Sequence, residues 1–107
     1  MEKVTFTNDD NVVISLIKHP YSDCFKTRDH HEVLFRRINT FLIKNKLIKG
    51  NIIDLGSWIG DNSIPWAKNI NGIVYAIDPS PKNCDFINET CKLNEITNVK
   101  TLQYAIT

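Results

Sequence analysis

Residues 51–81, NIIDLGSWIGDNSIPWAKNINGIVYAIDPSP, restrict what this chain can fold into more than any other stretch. A short apolar run, Ile52-Ile53-Asp54-Leu55, ends at Gly56, and Gly60 follows within the same turn. A helical pattern comes next. A second apolar run, Ile73 to Ile77, then stops on Asp78. Strand, glycine turn, helix, strand and a terminal acid, in that order, predict the nucleotide-binding half of a doubly wound α/β sheet. The absence of polar alternation in 52–55 predicts a central parallel strand covered on both faces.

The flanking residues fit the same scheme. Val4-Thr5-Phe6 and Val12 to Ile17, separated by the turn cluster Asn8 to Asn11, predict a β-hairpin. Lys18 to Arg28 reads as a loop. Asp29 with Glu32 predicts a capped helix start. The helix is expected to reach about Leu47, with Leu34, Ile38, Phe41 and Leu42 on one stripe and Arg36, Arg37, Lys44 and Lys46 on a solvated face. Gly50 supplies a glycine stop. Asp61 or Asn62 is expected to cap a helix carrying Ile64, Trp66, Ala67 and Ile70, with Pro65 in its first turn. Ser80-Pro81 predicts another helix start, and that helix should run to about Asn94 with Cys84, Ile87 and Cys91 on one face. Val99 to Tyr104 predicts a third strand. The expected organisation is a hairpin and lead-in helix over 1–49, then half of an α/β domain over 50–107.

Composition narrows the class of partner. With 107 residues, 42% hydrophobic, 23% charged and a net charge of +1, the chain reads as one globular domain, and the charge gives no case for nucleic acid or membrane as partner. Three cysteines without a CxxC pair argue against a disulfide framework and for a reducing, cytoplasmic setting. The N-terminus shows no signal-peptide pattern, and no apolar run is long enough to span a bilayer. His19, His30 and His31 lack the spacing of a ligand set, so no metal is expected.

The glycine turn suggests the chemistry. A strand that ends at a glycine turn and feeds a helix is expected to aim backbone N–H groups at one spot. Gly56 lets the backbone turn and a ligand approach, and Gly60 is expected to hold the helix start tight. Asp78, at the end of the second strand, suits the hydroxyls of a ribose. Dinucleotides want G-x-G-x-x-G, whereas GSWIG places Ser57 and bulky Trp58 where a pyrophosphate needs open backbone. S-adenosylmethionine has no phosphate, and Asp54 suits its ammonium group, so the spacing favours that ligand. A dinucleotide-binding fragment of an oxidoreductase, and a βαβ unit whose glycines serve only the turn, remain the alternatives.

Asp54-Leu55-Gly56-Ser57-Trp58-Ile59-Gly60-Asp61 resembles the D-x-G-A-N-x-G motif of class I methyltransferases. Ala76-Ile77-Asp78-Pro79-Ser80-Pro81 resembles the A-[FI]-E-P-[SD]-P stretch of the FkbM-like branch. Asn94, Asn98-Val99 and Tyr104-Ala105-Ile106 are similar to that branch's later landmarks. The resemblance covers about 50–106. It implies an α/β, Rossmann-like methyltransferase fold of which this chain carries three of seven parallel strands. It also implies a S-adenosylmethionine site of Asp54, Gly56, Ser57, Gly60, Asp61 and Asp78, with Gly56 and Gly60 lining the cofactor, Asp78 on the ribose and Asp61 near the methionine end. Family members mostly methylate hydroxyls of sugars or small metabolites. Ser57, Trp58 and Asp78 depart from the family's usual small residue, asparagine and glutamate. The strands that would carry the transfer site do not appear, so no general base is assigned. A non-enzymatic remnant or cofactor-binding module is the alternative. Three strands alone imply an exposed sheet edge open to self-association or a partner chain.

Overall fold

The structure, a computed structural model, describes residues 2–8, 10–26 and 33–106. The expected helix cap at Asp29 and Glu32, and His30 and His31, lie outside these residues. The chain begins with an antiparallel hairpin, β1 (Lys3–Thr7) and β2 (Val13–Ile17). Its turn is organised by Asn8, whose Oδ1 accepts from the N–H groups of Asp10 and Val12, both at 2.9 Å. A 3-10 turn, Ser22–Phe25, and helix α1, Val33–Lys44, follow. Three parallel strands, β3 (Ile52–Leu55), β4 (Val74–Ile77) and β5 (Val99–Leu102), form a sheet in the order β3-β4-β5. Helix α2 (Ser63–Ala67) links the first pair and α3 (Pro81–Leu93) the second.

Alternation along β4 shows how the layers stack. Val74 and Ala76 are fully buried, and the same side of the sheet receives both linking helices. Trp66 and Ala67 of α2 pack on Val74, whereas Ile64 of α2 and Ile87 and Cys91 of α3 pack around Ala76. The hairpin closes this core from outside, contributing Val12, Ile14 and Leu16. One continuous core thus joins the lead-in segment to the α/β unit. It is fastened by Asn94, at the end of α3, whose side-chain amide accepts from Ser15 N–H at 2.8 Å and donates to Ser15 C=O at 2.6 Å.

The other side of the sheet is open, which corrects one expectation. The register aligns Ile53 with Tyr75 and Lys100, and Leu55 with Ile77 and Leu102. Ile53 is 66% and Leu55 59% exposed. Strand β3 is an edge strand covered on one face, so its unbroken apolar character marks a surface that no described helix covers. The stripe expected on α1 is likewise exposed: Leu34, Ile38 and Phe41 face solvent, and the buried residue of that helix is Asn39. Asn39 Oδ1 accepts from Trp66 Nε1–H at 2.6 Å, so a polar contact docks α1 on α2. Arg36, expected on a solvated face, is half-buried and pairs with Asp10 at 2.7 Å. Two element ends also shift. Helix α2 stops at Ala67, before Ile70, and β5 stops at Leu102, before Tyr104.

Two features of the packing give measurable expectations. A Cβ on Gly72 would overlap the carbonyl of Gly50, a backbone atom that cannot swing aside. Gly72→Ala should therefore cost about 1–3 kcal/mol through forced backbone movement, read as a lower urea midpoint. Burial pushes the Cys91 thiol up to about 11. It also raises that of Cys84, with the nearby carboxylates of Asp78 and Asp85 adding to the shift. The unfolded chain releases a thiol proton near pH ~8.5, where the folded chain still holds the one on Cys91. This contribution is complete below that pH and is lost as pH rises toward the folded value. The urea midpoint should fall across that window, and Cys91→Ala should flatten the fall.

Candidate functional site

The candidate site lies where β3 and β4 end side by side. The sequence reads Gly56 to Gly60 as a fan of N–H donors facing outward, and the structure turns most of that fan inward. Gly56 and Ser57 both donate to the carbonyl of Ile77, at 2.8 and 3.0 Å. Gly60 N–H donates to Ser57 C=O at 2.9 Å. Trp58 N–H donates to Asp78 Oδ1 at 3.0 Å. Helix α2 has only five residues, so little dipole is added. The turn bolts the ends of the two strands together instead of offering a nest for phosphate.

Asp78 is the centre of this arrangement. It is 7% exposed, and its Oδ2 accepts from Ser80 N–H at 3.1 Å and from Asn83 Nδ2–H at 3.0 Å. With Trp58 N–H on Oδ1, three donors fix the carboxylate. A carboxylate has about four acceptor directions, which leaves one on Oδ1 for a ligand. Asn83 is itself placed by α3, whose N-cap Ser80 Oγ accepts from Asn83 N–H at 3.3 Å. The pattern Ser80-Pro81-x-Asn83 carries this signal, because the third helical position reaches back toward the cap.

The remaining candidates divide into two groups. Gly56 has φ +71° and nothing within 4 Å of where a Cβ would stand, so it leaves open approach above the turn. Ser57 is 3% exposed, and its Oγ has no partner among the described residues. The buried Oδ1 of Asn62, which the sequence reading treats only as a cap, is unpartnered in the same sense. Gly60 holds the helix start tight, as expected: a Cβ there would stand 3.0 Å from Ile87 Cγ1 and 3.4 Å from Ile64 Cγ1, on the core side of the turn. Asp54 is buried and accepts from Ser63 Oγ–H at 2.5 Å, which ties β3 to α2 beneath the turn. Asp61 is buried at 8% exposure beside Asn62.

Two aromatic residues join the site that the motif did not reveal as partners. Trp58 takes a left-handed backbone, φ 52°, and its ring meets that of Tyr21 with centroids 5.0 Å apart. Tyr21 comes from the segment between the hairpin and α1, which carries no motif, so only the folded chain brings the two rings together. Asn98, one of the motif landmarks, serves the frame: its Nδ2 donates to Ala67 C=O at 2.9 Å and to Gly72 C=O at 3.0 Å.

No protein-family model and no curated protein sequence matches the chain. Solved structures do. Coclaurine N-methyltransferase, in a crystal structure bound to N-methylheliamine and SAH, superposes with TM-score 0.54 at 20% identity, over 84% of this chain and 26% of that one. Trm5b from Pyrococcus abyssi superposes with TM-score 0.56 at 19% identity, over 92% of this chain and 27% of that one. The chain therefore has the Rossmann-like α/β fold of methyltransferases, and it spans about a quarter of the length of each of these neighbours.

Proposed function

We propose that this chain is part of a S-adenosylmethionine-dependent methyltransferase of FkbM-like type that acts on a hydroxyl of a sugar or another small metabolite. The observation that carries the cofactor reading is the balance of donors and acceptors at the turn. The N–H groups of Gly56, Ser57, Trp58 and Gly60 are committed internally, so an anion finds few donors. Asp78 Oδ1, Ser57 Oγ and Asn62 Oδ1 keep capacity to accept, which suits a ligand that brings hydroxyls and an ammonium group. A pyrophosphate needs donors instead, so this balance favours S-adenosylmethionine over a dinucleotide.

Asp78 would hold a ribose hydroxyl on the free direction of Oδ1, while Asn83, Ser80 and Trp58 keep the carboxylate still. Gly56 would admit the ligand's amino-acid moiety, and Ser57 and Asn62 would orient it. S-adenosylmethionine, when bound, supplies a methyl group on a sulfonium centre. The FkbM-type assignment and the hydroxyl acceptor rest on the sequence landmarks from Ala76 to Ile106. Calorimetric titration of the chain with S-adenosylmethionine, S-adenosylhomocysteine and NAD tests the cofactor reading. Binding of the first two and not of NAD is the expected result. Binding of NAD, or of none of them, overturns it.

A further inference from the structure

We propose that Tyr21 and Trp58 form an aromatic wall that senses the positive charge of a sulfonium ligand held at Asp78, an inference that rests on the S-adenosylmethionine reading above. Three independent observations lead there. The first is conformational. Trp58 sits at φ 52°, a region that bulky L residues rarely adopt and that glycine or asparagine would enter more easily. Such outliers persist where the surroundings fix them, and they concentrate at ligand sites. Here the Trp58 backbone N–H is fixed on Asp78 Oδ1 at 3.0 Å, so the residue that carries the indole is tied at its backbone to the carboxylate proposed to hold the ligand.

The second observation is exposure. The Tyr21 ring lies 5.0 Å from the Trp58 ring at an interplanar angle of 58°, yet Tyr21 is 53% exposed. A ring kept only for packing would be covered. The third is the rigidity with which the chain presents it. Tyr21 N–H donates to His19 Nδ1 at 3.1 Å, and Ser22 Oγ–H donates to His19 C=O at 2.7 Å. The His19 ring rests on Phe86 of α3 at 4.9 Å. Phe25, 2% exposed, anchors the far end of the segment, 6.3 Å from the same Phe86. The segment is therefore nailed to α3 on both sides of Tyr21.

The chemistry follows from the rings. Tryptophan and tyrosine carry negative π-faces that attract onium groups and give a neutral thioether no such attraction. An aromatic pair beside a buried carboxylate suits a ligand that is cationic at one atom and hydroxylated at the next. S-adenosylmethionine and S-adenosylhomocysteine differ by one methyl group and that one positive charge, so the pair of ligands isolates the effect.

Calorimetry on the full chain with both ligands, for the natural protein, Tyr21→Leu and Tyr21→Phe, tests this. Tyr21→Leu should weaken S-adenosylmethionine about fivefold while leaving S-adenosylhomocysteine within about twofold, and Tyr21→Phe should match the natural chain for both. Circular dichroism confirms that each variant is folded. If Tyr21→Leu weakens both ligands equally, or neither, the charge-sensing role is wrong and the cofactor reading stands. If the natural chain binds neither ligand, both ideas fall together.

Discussion

Asp78→Ala should lower the affinity for S-adenosylmethionine by about a hundredfold or more. The arithmetic rests on hydrogen bonds to a charged partner, each contributing about 1.5–3 kcal/mol, with about 1.4 kcal/mol for every tenfold in affinity. In the proposed complex, one bond would go directly to the ligand. The rest of the effect is positional, because the carboxylate also anchors Trp58, Ser80 and Asn83. Alanine leaves those three donors without their acceptor, so the variant should also melt at a lower temperature. Titration well below the melt separates the two effects. Asp78→Asn keeps the volume and one acceptor oxygen, and it should fall between alanine and the natural residue. An Asp78→Ala chain that binds as tightly as the natural one would remove Asp78 from the site.

Ile87→Ala should be the most destabilising of the single substitutions considered. Ile87 is fully buried in the core that joins hairpin, sheet and helices, and its Cγ1 lies under Gly60. Truncating a buried isoleucine to alanine costs about 2–5 kcal/mol. Domains of this kind have a total stability of about 5–15 kcal/mol, so the urea midpoint should drop by a large fraction of its value. Ile87→Val should cost only about 0.5–1.5 kcal/mol, and the contrast between the two reports how closely the core is filled. Because Gly60 rests on this side chain, the alanine variant should also loosen the turn.

Local rules made much of this architecture readable. The hairpin, the strands β3 and β4, and the start of α3 at Ser80-Pro81 are fixed by turn residues and apolar runs that act over a few positions. The site was readable only in outline. Asp78 and Gly56 stand where the spacing put them. The direction of the N–H groups did not follow from GSWIG, because it depends on Ile77 and Asp78 presenting acceptors from a neighbouring strand. The tight start that Gly60 allows was legible, but the residue that packs on it, Ile87, lies far along the chain and was not. The exposure of Ile53 and Leu55 was equally invisible, since an apolar strand reads alike whether one face is covered or two. Arg36 looked solvated by periodicity alone, and its ion pair with Asp10 is a long-range pairing that no pattern along α1 announces.

The clasp between Asn94 and Ser15 has a consequence for the order in which the chain assembles. Its two hydrogen bonds link residues 79 positions apart, whereas the β-α-β units on either side of β4 close over much shorter loops. Contacts of long sequence separation carry the larger chain-closure entropy and tend to form late. The hairpin should therefore dock onto an α/β unit that is already built. In hydrogen exchange, the Ser15 amide would then open together with the end of α3 and ahead of the central strand β4. Tyr21, which follows the hairpin, would reach Trp58 only in that last step, so the aromatic wall would be the final part of the site to assemble.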